Sequence, residues 1–143
     1  KLNTISDEHK KTIVTNVNDK MSIVNQRRVE FWKKVLAKLE DILNRVKNKG
    51  TDLKSSGKDT TSLDAAVASA SAQISIAKTA VDTQKAKNYI INIASGSALR
   101  INVGAAISGE QSDLRGVYQT IIDAHKAVSN AIKILRQLSG GTK

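Results

Sequence analysis

Between Ser6 and Ser56 the chain carries apolar side chains at helical spacing for about fifty residues without a proline. An interior proline removes a helix hydrogen bond and clashes with the preceding turn, so nothing of that kind breaks this stretch. Ile13, Val17, Met21, Val24, Arg28, Trp32, Val35, Leu39, Ile42, Val46, Gly50 and Leu53 step by alternating threes and fours, which returns each to one side of a helix. Only Arg28 and Gly50 in that stripe are not apolar. Glycine is common just past a helix C-terminus. The stripe nevertheless keeps its phase through Gly50 to Leu53, and Gly57 follows with Lys58, Asp59 and Thr60. The spacing therefore predicts one helix over 6–56, with Gly50 as an interior glycine costing about 1 kcal/mol relative to alanine. At about 1.5 Å per residue this is a rod of roughly 75 Å, too long for a compact globule. Ser6 is its expected N-cap, with Asp7 and Glu8 in the first turn. Trp32 is the expected core anchor, with Phe31 at its flank.

The remaining segments read as cover for that stripe. Gly57-Lys58-Asp59-Thr60-Thr61 is a short polar connection of the kind that returns a helix antiparallel. Thr61 and Asp64 resemble a capping box, and a second helix over 62–86 carries the stripe Leu63, Val67, Ala70, Ile74, Ala77, Val81 and Gln84. Tyr89-Ile90-Ile91-Asn92-Ile93 then has high β propensity. It fits either an extended connector over 87–96 or a last turn of helix, and the extended form would let helix two plus connector match the length of helix one. A third helix over 97–138 has the stripe Arg100, Val103, Ile107, Gln111, Leu114, Tyr118, Ile121, His125, Val128, Ile132 and Leu135. Ser139-Gly140-Gly141 ends it, and 139–143 is expected to be a disordered tail.

These elements predict an all-α, elongated antiparallel three-helix bundle forming a single domain over 1–143, coiled-coil-like and with a left-handed supercoil. The absence of proline and an aromatic content of 3% suit a thin aliphatic core of helices. A long helix that completes its core by pairing with another copy would carry the same stripes.

The run Leu53-Lys54-Ser55-Ser56-Gly57-Lys58-Asp59-Thr60-Thr61-Ser62, the alanine-rich helix after it, Tyr89-Ile90-Ile91-Asn92-Ile93 and Leu99-Arg100 resemble uncharacterised exported helical proteins of small-genome candidate-phyla bacteria. The resemblance covers the chain from about Arg27 onward. It implies an exported, periplasmic or extracellular protein, and it carries no catalytic residue to transfer. The sequence opens on Lys1, as a processed product or an excerpt would.

Chemistry is sparse. His9 and His125 lie on different helices with no second histidine at helical spacing, and His125 on the third stripe reads as a structural residue. No serine stands in a nucleophile elbow, no glycine run has phosphate-loop spacing, and the acids are scattered. Without cysteine there is neither a disulfide framework nor a thiolate site. The expectation is therefore a non-enzyme with no cofactor, no metal and no small-molecule substrate. No apolar run reaches the eighteen or so residues of a membrane span.

Charge is the one global feature with functional content. The chain has 23 basic and 13 acidic residues, net +10, and Lys1 to Gly57 holds thirteen of the basic and seven of the acidic ones. Lys20, Arg27 and Lys34 recur every seven residues, joined by Lys38 and Arg45. One reading is a solvated helix face. The other is attraction to a polyanion: nucleic acid, an anionic envelope polymer or a lipid surface. The leading expectation is a structural or interaction module, a spacer, scaffold or surface-assembly component whose expected partners are a homo-oligomer or a surface assembly; the alternative is a polyanion-binding protein that uses the first helix. Arg28, on the apolar stripe, either sends its guanidinium to solvent or reaches Glu110 or Asp113.

Overall fold

The computed structural model describes residues 7–89, 91 and 99–140. It contains three helices: α1 (Asp7–Ser55), α2 (Thr61–Ala86) and α3 (Leu99–Leu138). All three pack on one another as an all-α bundle. The expected N-cap at Ser6 and the start of the third helix at Ser97 lie outside the described residues, as do 141–143 of the expected tail; Ser139 and Gly140 form a turn.

α1 runs through Gly50 unbroken and stops where glycine permits a left-handed residue. Gly57 has φ +92°. Its N–H donates to the Lys54 carbonyl at 3.0 Å, and the Lys58 N–H donates to the Leu53 carbonyl at 3.0 Å. These two bonds are the Schellman closure, which satisfies carbonyls the helix would otherwise leave open. The start of α2 differs from the expected Thr61–Asp64 box. Asp59 accepts the Thr61 N–H at 3.0 Å and the Thr61 hydroxyl at 2.6 Å, while Thr60 Oγ1 donates to Asp64 at 3.2 Å. The cap is one to two residues earlier because Asp59 reaches the first free N–H from outside the helix.

Gly50 packs at Leu63, Glu40 pairs with Lys78 at 2.6 Å, and Asn25 meets Gln84, so α2 runs antiparallel to α1. At the α1–α2 turn, Lys58 Nζ donates to the Leu138 carbonyl at 2.8 Å. At the opposite end, Val14 and Met21 cluster with Leu99. α3 is thus antiparallel to α2 and parallel to α1. α1 is about 73 Å long and α2 about 39 Å, from 49 and 26 residues at ~1.5 Å each. The chain covers part of the difference without helix. Lys87 is extended (φ −71°, ψ 141°), residues 87–89 and 91 are non-helical, and Ile91 is buried against Val14, Met21 and Leu99. The rest of the expected connector falls outside the described residues.

The main core joins Val29, Trp32, Leu36, Leu39, Leu43 and Val46 of α1 to Leu63, Ile74 and Val81 of α2 and to Val117, Ile121 and Val128 of α3. Ala70, Ala77, Ala124 and Ala131 are fully buried, and their small side chains let α2 and α3 approach closely. The α2 stripe is as expected except that Ala66 is buried and Val67 only partly. In α1 and α3 alternate positions slip by one. Asn25, Val29, Leu36 and Leu43 take the inward places expected of Val24, Arg28, Val35 and Ile42. Glu110, Val117, Ala124 and Ala131 replace Gln111, Tyr118, His125 and Ile132, while Arg100 and Ile107 are exposed. The slip turns Arg28, Tyr118 and His125 outward and fills their places with smaller or neutral side chains. Arg28 makes no pair with Glu110 or Asp113.

Candidate functional site

The basic residues singled out on α1 lie on one outward line. At about 100° per residue, Lys20, Arg27, Lys34, Lys38 and Arg45 fall within an arc of roughly 40°, and the line is about 38 Å long. All five are exposed. Arg45 pairs with Asp41 at 3.0 Å, an i,i+4 contact open to solvent. Lys20, Arg27, Lys34 and Lys38 have no acidic partner among the described residues. Phe31, expected at the flank of Trp32, stands between Arg27 and Lys34 with 58% of its surface exposed, while Trp32 is buried in the core. The line exists because α1 does not break: a kink anywhere between Lys20 and Arg45 would scatter the charges.

A second polar constellation was hidden in the sequence. Where α2 ends, Asn25 of α1 and Gln84 of α2 form a buried amide pair. Asn25 Nδ2 donates to the Gln84 backbone carbonyl at 3.0 Å, and Gln84 Nε2 donates to Asn25 Oδ1 at 2.7 Å. Gln84 Nε2 also donates to the Tyr89 hydroxyl at 2.8 Å, which in turn donates to Asp113 Oδ2 at 2.7 Å. Lys87 Nζ completes the chain, 3.1 Å from the same carboxylate oxygen. Burial first, then the hydrogen bond to Asp113, pushes the Tyr89 hydroxyl up to about 12. The Asp113 carboxyl is held below its usual range, chiefly by the hydrogen bond from Tyr89 and also by Lys87. Glu110 is buried beside this layer, its Oε2 has no hydrogen-bond partner, and desolvation raises its pKa.

This layer separates the main core from the smaller cluster of Val14, Met21, Ile91 and Leu99. Of its members only Gln84 lies on one of the expected stripes. Apolar periodicity does not point to Asn25 and Glu110, because both are polar, although the phase that admits them is the one that clears Arg28 and His125 from the interior.

A half-open cleft of about 650 Å³ lies beside the layer, between α1 and the end of α2. Asn18, Ser22, Asn25 and Gln26 present amides and a hydroxyl, and Lys33 and Lys85 stand opposite Asp19 and Glu30 in charge. This mixed lining selects no one ligand charge. Among the described residues no group of three His, Asp or Glu side chains could hold a metal ion, and no helix is long and apolar enough to cross a membrane. No protein-family model, curated protein or solved structure matches the chain.

Proposed function

We propose that the protein is a non-catalytic structural or interaction protein, an extended helical bundle that serves as a spacer, scaffold or surface-assembly component. The observation that carries this reading is the uninterrupted α1, about 73 Å long, with α2 and then the non-helical stretch laid along it. Two measurements test it. Small-angle scattering should give a longest dimension of about 75 Å or more. Light scattering with chemical crosslinking should reveal self-association, and a strict monomer at every concentration removes the assembly role. The resemblance to exported helical proteins supports a setting outside the cytoplasm, which fractionation of the producing cell tests.

A second reading, binding of a polyanion along α1, is favoured by the single exposed line of Lys20, Arg27, Lys34, Lys38 and Arg45. Cations so arranged attract an extended anion along the rod. Binding to dextran sulfate or DNA should then fall steeply between about 50 and 200 mM salt. An absence of binding at low salt excludes it.

A further inference from the structure

The basic line is not purely basic. Within α1 the exposed positions 20, 23, 24, 27, 28, 31 and 34 fall within an arc of about 140° at ~100° per residue and so share one face. Four are cations: Lys20, Arg27, Arg28 and Lys34. The other three are Ile23, Val24 and Phe31, exposed by 46%, 42% and 58%. Val24, Arg27, Arg28 and Phe31 together line a shallow surface depression. None of these four cations is paired with an acid among the described residues, so their charge is available to a partner.

We propose that this face of α1 docks on anionic phospholipid membranes, lying flat with Phe31, Ile23 and Val24 entering the headgroup boundary and the cations meeting lipid phosphates. This rests on the polyanion reading and narrows it to one partner. Charge complementarity selects an anion, and the apolar side chains select among anions. A DNA duplex or a soluble anionic polymer gains nothing from three exposed apolar groups, and one phenyl ring is too few to track a single strand by stacking. A membrane interface rewards both kinds of side chain at once, at the depth where long cationic stems reach up to phosphate. The face extends about 21 Å along the helix, from fourteen residue steps at ~1.5 Å each, and no element of the bundle needs to open to present it.

The test is flotation of the full chain with phosphatidylcholine vesicles, with and without about one third phosphatidylglycerol, alongside dextran sulfate binding measured in the same buffer. The expected result is binding to the anionic vesicles only. Phe31→Ser should weaken vesicle partitioning about tenfold while leaving dextran sulfate binding unchanged. Arg27→Glu should weaken both, by at least about fivefold for the vesicles. Because both residues are exposed, helicity by circular dichroism should match the parent. Binding to dextran sulfate without binding to anionic vesicles, or vesicle binding indifferent to Phe31→Ser, overturns the membrane proposal and leaves the polyanion reading standing. Binding to neither overturns both.

Discussion

From Val29 to Val46, α1 is flanked by both other helices, and its core partners include Ala70, Ala77, Ala124 and Ala131, all fully buried. From Val14 to Met21 its buried partners are instead Leu99 of α3 and the non-helical Ile91. The first region can close because small side chains on α2 and α3 let the backbones approach. Among the described residues the second has no third helix to close against, and its apolar cluster is smaller. Between them lies the layer of Asn25, Gln84, Tyr89 and Asp113. Placed where α2 ends, that layer gives the Gln84 carbonyl a second donor, Asn25 Nδ2, beside the Lys87 N–H. One continuous rod thus supports two cores of unequal depth, and stability should be unequal along it.

The largest expected effect separates the two cores directly. Trp32→Ala should cost about 3–5 kcal/mol in urea unfolding, because it empties the largest fully buried side chain of the main core. Met21→Ala, in the smaller cluster, should cost less and should mainly speed hydrogen exchange in the first turns of α1. If both substitutions cost the same and exchange is uniform along α1, the two regions are one cooperative core and the comparison fails.

The next effect concerns the boundary. Asn25→Ala leaves one buried Gln84 amide N–H without its acceptor, while the Gln84 carbonyl keeps the Lys87 N–H, and should destabilise by about 1–3 kcal/mol. Asn25→Leu should give a different signature, since an apolar residue there can slide. The end of α2 should then become less well defined, read as faster and more heterogeneous hydrogen exchange around Gln84 rather than only a lower unfolding midpoint.

Glu110 sharpens the same boundary with the opposite sign. Its folded carboxyl titrates above the ordinary glutamate range because it is desolvated. The folded state therefore holds the proton more tightly than the unfolded chain does. Its contribution is fully present below about pH 4.3 and is lost as pH rises through the folded value. Glu110→Met should raise stability at pH 7 by about 1–2 kcal/mol, with the gain shrinking as the pH falls toward 4. A gain that does not change with pH would mean the carboxyl is hydrated in the folded state.

The sequence made the long helix, its stop at Gly57 and the α2 stripe legible, because each depends on a local signal: unbroken periodicity, a glycine in a left-handed turn, and alanines on one face. The rotation of α1 and α3 was only half legible. Met21, Trp32, Leu39 and Val46 belong to either phase, but Val35 and Leu36, or Ile42 and Leu43, are equally apolar neighbours, so periodicity cannot choose between them. The choice is made by tertiary packing, in which Asn25 and Gln84 find each other across 59 residues and Ala124 fits where His125 would not. The basic line was legible because it is a surface property of one helix. The polar layer was not, because its members sit on four separate segments and three of them look like solvent-facing residues.

The smallest effect is carried by two glycines. Gly116, in α3, has open space around the place where a side chain would start. Gly116→Ala should therefore gain about 1 kcal/mol from helix propensity alone. Gly50 has the same intrinsic cost in α1, but an added Cβ would stand 2.9 Å from Leu63 Cδ2, and Leu63 is itself fully buried. Gly50→Ala should gain nothing, because Leu63 must shift within a packed core to admit it. Equal gains at both positions would show that the α1–α2 contact at Gly50 is loose, and the close packing assigned to that end would fall with it.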